Sequence, residues 1–283
     1  MINRYSLYKI LDKDNCPFNS DDYSWFKFGD KYYAEKFAFD LFQGFIIEYG
    51  EKLLLQDEII LLPSPYSSIP TASNFLCYYF KRKLNSFLFK NGKKSCLESK
   101  IYRNQTYVTD YGNLDFEQRL NLISNDTYYI DRHFIDGKFC IFLDDIKITG
   151  SHEYTVHKIL NQYKVEGNFV FVYLAELINK DIHPNIENHY NYFAVKGLNE
   201  IVEVINRESF QYNTRIIKYI LNLKESEFKF LMNFISIEKQ EELFHLAVSN
   251  NYHQINEYKM NINMIQVDST QIDSININSI NIN

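Results

Sequence analysis

The stretch FCIFLDDIKITGSHE, residues 139–153, runs five apolar residues into two adjacent aspartates, then Thr149 and Gly150, then a polar segment with a helical period. Val156, Ile159, Leu160 and Tyr163 fall at i, i+3, i+4 and i+7, so a helix is predicted from about Ser151. NFVFVYLA, 168–175, reads as a second buried strand. Strand, turn, helix and strand within the 37 residues from 139 to 175 make a βαβ unit. Its two strands must lie parallel, and a parallel sheet must be covered by helices on its faces.

The rest of the chain fits that frame. Residues 23–49 open with an aromatic segment and continue as a helix with Ala34, Phe37, Leu41 and Phe45 on one face. EIILLPSPY, 58–66, is a buried strand stopped by two prolines, and SSIPTASN after it carries capping residues for a further helix. Residues 90–130 are polar and irregular in pattern. From about 198 the period becomes helical, and 266–283 alternate Ile with Asn or Ser in a low-complexity tail, read as mobile rather than as an added edge strand. The expected division is therefore an α/β domain over 1–197, a helical C-terminal extension over 198–265 and the tail.

Ligands of open α/β sheets bind outside the carboxyl ends of the strands, where Asp144 and Asp145 fall. Two carboxylates repel phosphate but accept hydrogen bonds from sugar hydroxyls or stand near Mg²⁺. Thr149, Gly150, Ser151 and His152 stand at a helix start, where free N–H groups attract an anion. The segment thus offers a diol site followed by a monophosphate site, as a ribose 5-phosphate requires. A Walker pair is excluded. NGKKS at 91–95 has Phe87 where the first glycine belongs and Lys94 where Ser or Thr belongs; DGKFC at 136–140 has Arg132 and Phe139 there.

FCIFLDDIKITGS resembles the phosphoribosyl pyrophosphate (PRPP) signature of type I phosphoribosyltransferases: apolar residues, two acids, three further residues, then Thr-Gly and a small hydroxyl residue. YSWFKFGDKYYAEKFAFDL resembles the lysine–aromatic–small segment of their ComF-like members, LLPSPYSS their Pro-rich strand end, and DFEQRLNLI with IDGKFCIFLDD their R-x-x-N and G-K stretch. Together these cover about residues 23–175, in the manner of relatives from bacterial tellurium-resistance and stress gene clusters.

The resemblance implies an open, mainly parallel sheet flanked by helices, and a Mg²⁺-dependent transferase. It would bind PRPP, or a nucleoside 5′-monophosphate with pyrophosphate, and move ribose 5-phosphate to or from a nucleobase-like nitrogen. It places Asp144 and Asp145 on the ribose hydroxyls, in indirect contact with Mg²⁺ through substrate and water. It places Ile148, Thr149, Gly150, Ser151 and His152 around the 5-phosphate, and Ser64, Pro65, Tyr66, Ser67 and Ser68 on the pyrophosphate side. Lys100, Arg103 and Arg119, in a covering loop over 100–121, are candidates to meet the pyrophosphate; Lys27 is either a further candidate or a snorkelling surface lysine. Three departures stand out. Ile148 and His152 occupy positions where the family often has Thr or Ser, Asn121 follows Arg119 as R-x-N, and the Ser64–Ser68 turn has neither Gly nor a basic residue. They leave open a second reading, a PRPP- or partner-binding module with weak catalysis.

A net charge of −6 argues against a broad nucleic-acid surface. Cys16, Cys77, Cys96 and Cys140 form no CxxC pair, and the histidines have no metal-ligand spacing. No signal-type segment and no apolar run near the ~18 residues of a membrane span is present, so a cytoplasmic protein is expected. The expected partners are PRPP, an unidentified acceptor and a second copy of the chain.

Overall fold

The computed structural model describes residues 2–103, 114–124 and 128–265. The tail and the middle of the expected covering loop lie outside the described residues. The chain opens with β1 (Ile2–Ile10), a strand that the sequence reading did not place. Its polar residues Arg4, Ser6 and Lys9 hide the apolar alternation; Arg4 pairs with Glu153 at 2.6 Å, and Ser6 and Lys9 are used in an ion network described below. The aromatic segment is helical: α1 (Ser20–Lys27) is capped by Asn19, whose side chain accepts from the Asp22 N–H at 2.9 Å, and Asp30 caps α2 (Lys31–Leu54) in the same way. Then come β2 (Ile59–Pro63) and α3 (Ala72–Lys90), the latter started by a Thr71–Asn74 capping box.

The irregular stretch contains β3 (Leu97–Glu98), β4 (Tyr102–Arg103), α4 (Phe116–Ser124) and β5 (Tyr128–Tyr129). Next are α5 (Arg132–Ile135), β6 (Phe139–Lys147), α6 (Ser151–Gln162), β7 (Asn168–Leu177) and α7 (Ile186–Asn191). Helices follow: α8 (Leu198–Ile205), α9 (Thr214–Leu221), α10 (Glu225–Met232), α11 (Ile237–Ser249) and α12 (Asn256–Asn263).

Five strands form one parallel sheet in the order β1-β7-β6-β2-β3, as the α/β expectation requires. Period-two alternation sorts its side chains. Ile59 and Leu61, Ile141 and Leu143, Val170 and Val172 face one core with Phe37, Phe45, Leu76 and Phe80 of α2 and α3. Ile60 and Leu62, Cys140 and Phe142, Phe171 and Tyr173 face another with Val156, Ile159 and Leu160 of α6. Short β4 and β5 pair antiparallel apart from the sheet.

The chain divides into two compact units between Lys218 and Tyr219, so α8 and most of α9 belong with the sheet. In the second unit the buried Asn261 amide donates to the carbonyls of Leu221 (2.9 Å) and Leu223 (2.8 Å), tying α12 to the turn after α9. Among the described residues no helix is long and apolar enough to cross a membrane.

Candidate functional site

After β2 the chain moves outward through α3 on one face toward β3. After β6 it moves the other way through α6 on the opposite face toward β7. The β2/β6 boundary is therefore the topological switch point, and the two diverging loops open a crevice at the strand carboxyl ends. Those loops are Ser64–Ser68 and Ile148–His152. Pro63 pairs with Leu143, which sets Ser64 beside Asp144.

The strand expected over 139–143 in fact runs to Lys147, because β7 keeps offering ladder partners: Tyr173 to Asp144, Ala175 to Ile146 and Glu176 to Lys147. The aspartates thus belong to the strand, and their side chains turn to opposite sides. Asp144 turns to α6, with Oδ2 2.9 Å from His152 Nδ1 and Oδ1 accepting from the Asp145 N–H at 2.9 Å. Asp145 turns to α1, with Oδ2 accepting from the Tyr23 hydroxyl at 2.8 Å and from the Lys27 ammonium. Burial opposes ionisation of Asp144. The His152 contact, with help from Ser64 and Asp145, outweighs it and holds that carboxyl well below the usual range. Burial raises the Asp145 carboxyl, Lys27 opposes this, and the neighbouring Asp144 charge adds to it. Burial, with the Asp145 charge next, lifts the Tyr23 phenol far above its ordinary value, so it stays a donor.

Gly150 precedes α6 at φ 80°, a left-handed conformation that glycine adopts without strain. It has no side chain to cap the helix, and the Ser151 N–H donates to Thr149 Oγ1 at 3.4 Å, so an anion at this helix start would meet the N–H groups of His152 and Glu153. Two of the expected phosphate residues turn their side chains inward. Ile148 is buried in the core and offers only backbone. Ser151 is buried too, and its hydroxyl accepts from Thr149 Oγ1 at 3.1 Å. Thr149 and His152 stay part-exposed at the rim.

On the other loop, Ser64 is buried, Pro65 and Tyr66 are part-exposed, and Ser67 and Ser68 are exposed. The cation this turn lacks comes from Lys100. Its ammonium donates to the Ser67 carbonyl at 2.6 Å and lies 3.6 Å from the Tyr66 ring centroid and 4.9 Å from that of Tyr102. Burial lowers its pKa. Arg103 sits on β4, paired with Tyr128 of β5. Arg119 stands on α4. It is buried, its Nε donates to the Leu114 carbonyl at 2.7 Å, and it pairs with Glu187 of α7 at 2.8 Å. Asn121 is exposed on α4.

The sequence reading missed Tyr23 and the segment 207–214. Tyr23 and Lys27 stand at i and i+4, so one face of α1 presents both, a signal legible once α1 is known to be helical. Segment 207–214 clamps the turn after α1. Arg207 pairs with Asp30 at 2.8 Å, Ser209 carbonyl accepts from Lys31 N–H, and Gln211 N–H donates to Gly29 carbonyl at 2.9 Å. The buried Asn213 amide donates to the Lys27 carbonyl at 3.1 Å, and Thr214 holds the carbonyls of Ile69 and Pro70 beyond the other loop.

Beneath Gly150, Glu176 accepts from Lys147 (2.8 Å), Lys9 (3.0 Å) and Ser6 (2.9 Å). Burial opposes this, yet the hydrogen bonds hold its carboxyl at about 2. A depressed carboxylate contributes stability that is present above its unfolded pKa, near 4.5, and is lost as pH falls toward 2. With solvent screening at the half-exposed Lys9, the contribution is roughly 2 kcal/mol. Denaturant titrations of wild type and Glu176→Gln are expected to differ by that amount at pH 7 and to converge as pH falls from about 4.5 toward 2; a gap independent of pH would refute the network.

None of the curated proteins compared with the chain matches it. The family model of the ComF-like phosphoribosyltransferases (PRTase ComF-like) does, over residues 1–265, which span the sheet, both crevice loops and the clamp. With its parallel sheet, its switch-point crevice and this match, the chain belongs to the ComF-like phosphoribosyltransferase family.

Proposed function

We propose that the crevice binds PRPP, or a nucleoside 5′-monophosphate with pyrophosphate, and transfers ribose 5-phosphate to or from a nitrogen of a nucleobase-like acceptor. The observation that carries this reading is the spacing of Asp144 and the start of α6, brought together at the switch point. Asp144 accepts hydrogen bonds from the ribose hydroxyls. The first-turn N–H groups of α6, with Thr149 and His152 at the rim, hold the 5-phosphate. Lys100 faces the leaving pyrophosphate from the Ser64–Ser68 turn. Cleavage at the anomeric carbon develops an oxocarbenium-like charge, so these residues act by alignment and electrostatics.

Mg²⁺, when bound, neutralises pyrophosphate. Among the described residues no three His, Cys, Asp or Glu side chains gather into a protein cage, and Asp145 already holds an ammonium. That donor set fits an ion carried by substrate oxygens and water, with Asp144 as its outer neighbour.

A second reading, a PRPP-binding module without turnover, is favoured by one fact: Arg119, a candidate for the pyrophosphate, is committed to Glu187. Calorimetric titration of PRPP with and without Mg²⁺, followed by a pyrophosphate-release assay over nucleobases, separates the cases. Saturable binding with release supports the transferase, binding without release the module. No binding at millimolar PRPP removes both.

A further inference from the structure

The acid pair is asymmetric. Asp145 is 7% exposed and Lys27 10%, and they meet inside the fold with the fully buried Tyr23 as second donor. Asp144 is 17% exposed, and its partner His152, at 25%, stands on the rim of the phosphate loop. Drawing Asp145 out to a ligand would strand a buried ammonium, which is strongly unfavourable; drawing Asp144 off His152 leaves an imidazole, which unlike an ammonium carries charge only when protonated. Nor can Lys27 follow Asp145 outward. Its backbone carbonyl is held by Asn213, the next residue Phe28 is buried against Tyr192 with ring centroids 5.3 Å apart, and Gly29 is bound to Gln211.

Resting on the PRPP reading, we propose that the two acids divide their labour. Asp144 alone meets the ribose hydroxyls. Asp145, Lys27 and Tyr23 form a buried latch that pins the end of β6 to α1 and keeps the floor of the site electrically neutral. Lys27 is thus a positioning residue acting through Asp145. Neutrality matters because the ligand is a polyanion: an unpaired carboxylate under it would repel it.

The test is a double-mutant cycle of Lys27→Met and Asp145→Asn, read by thermal midpoint without ligand and by PRPP affinity well below every midpoint. Each single change removes one partner of a buried pair and is expected to lower the midpoint by roughly 10 °C. The double variant leaves no stranded charge, keeps an acceptor for Tyr23, and recovers most of that loss.

Affinity splits by sign. Lys27→Met adds a net negative charge and weakens PRPP about tenfold, with a steeper salt dependence. Asp145→Asn does not weaken it, and the double variant stays within about threefold of wild type. If Asp145 were a ribose ligand, Asp145→Asn and the double variant would both lose binding about 100-fold, and the division of labour would fall. If wild type binds neither PRPP nor ribose 5-phosphate, the functional reading fails by itself. The latch is then judged by the midpoints: additive losses overturn it, and recovery in the double variant upholds it.

Discussion

Asp144→Asn is expected to weaken PRPP binding about 100-fold while lowering the thermal midpoint by no more than a few degrees. The sign is informative. Removing a negative charge beside a polyanion should, by Coulomb's law alone, strengthen binding. A large loss therefore isolates the hydrogen bonds that the carboxylate accepts from the ribose hydroxyls, each of order 1.5–3 kcal/mol when one partner is charged. Asn keeps the shape and an oxygen for the Asp145 N–H, and His152, which carries charge only when protonated, leaves no obligatory buried charge behind, so the fold has little reason to suffer. Calorimetry and a thermal melt on the same sample check both halves. Affinity retained within a few-fold would remove Asp144 from the ribose.

Gly29→Ala is expected to cost about 3–4 kcal/mol of stability and to weaken ligand binding with it. Gly29 has φ 98°, where an L side chain is strained, and an added Cβ would lie 2.3 Å from the backbone oxygen of Gln211. That oxygen cannot simply retreat, because the N–H of the same residue donates to the Gly29 carbonyl at 2.9 Å. Relief comes only by lifting the 207–214 segment off the turn, which also loosens Asn213 from Lys27. A midpoint drop of roughly 10 °C, with ligand affinity lowered in step, is the expected result. An unchanged midpoint would mean that the clamp does not hold the turn. The same geometry explains why lysine, aromatic and glycine stand together as Lys27-Phe28-Gly29: one holds Asp145, one fills the core against Tyr192, and one lets the clamp approach.

The sequence by itself determined which faces are apolar and where the chain turns. Period-two and period-3.6 patterns over 139–175 were enough for the βαβ unit, the acids at a strand's carboxyl end and the glycine turn into a helix; the aromatic run at 23–28 and the strand at 2–10 escaped because their polar residues are recruited into contacts with distant carboxylates and so interrupt the local pattern. Only the tertiary structure decided who meets whom. It gave Asp145 to Lys27 and Asp144 to His152, paired Arg119 with Glu187, and brought Lys100 to a turn that has no cation of its own. The physical reason is that periodicity is a local property, set by backbone geometry over a few residues. A partner far along the chain is chosen by strand order and by the side of the sheet on which each crossover runs, and neither is written in any short stretch.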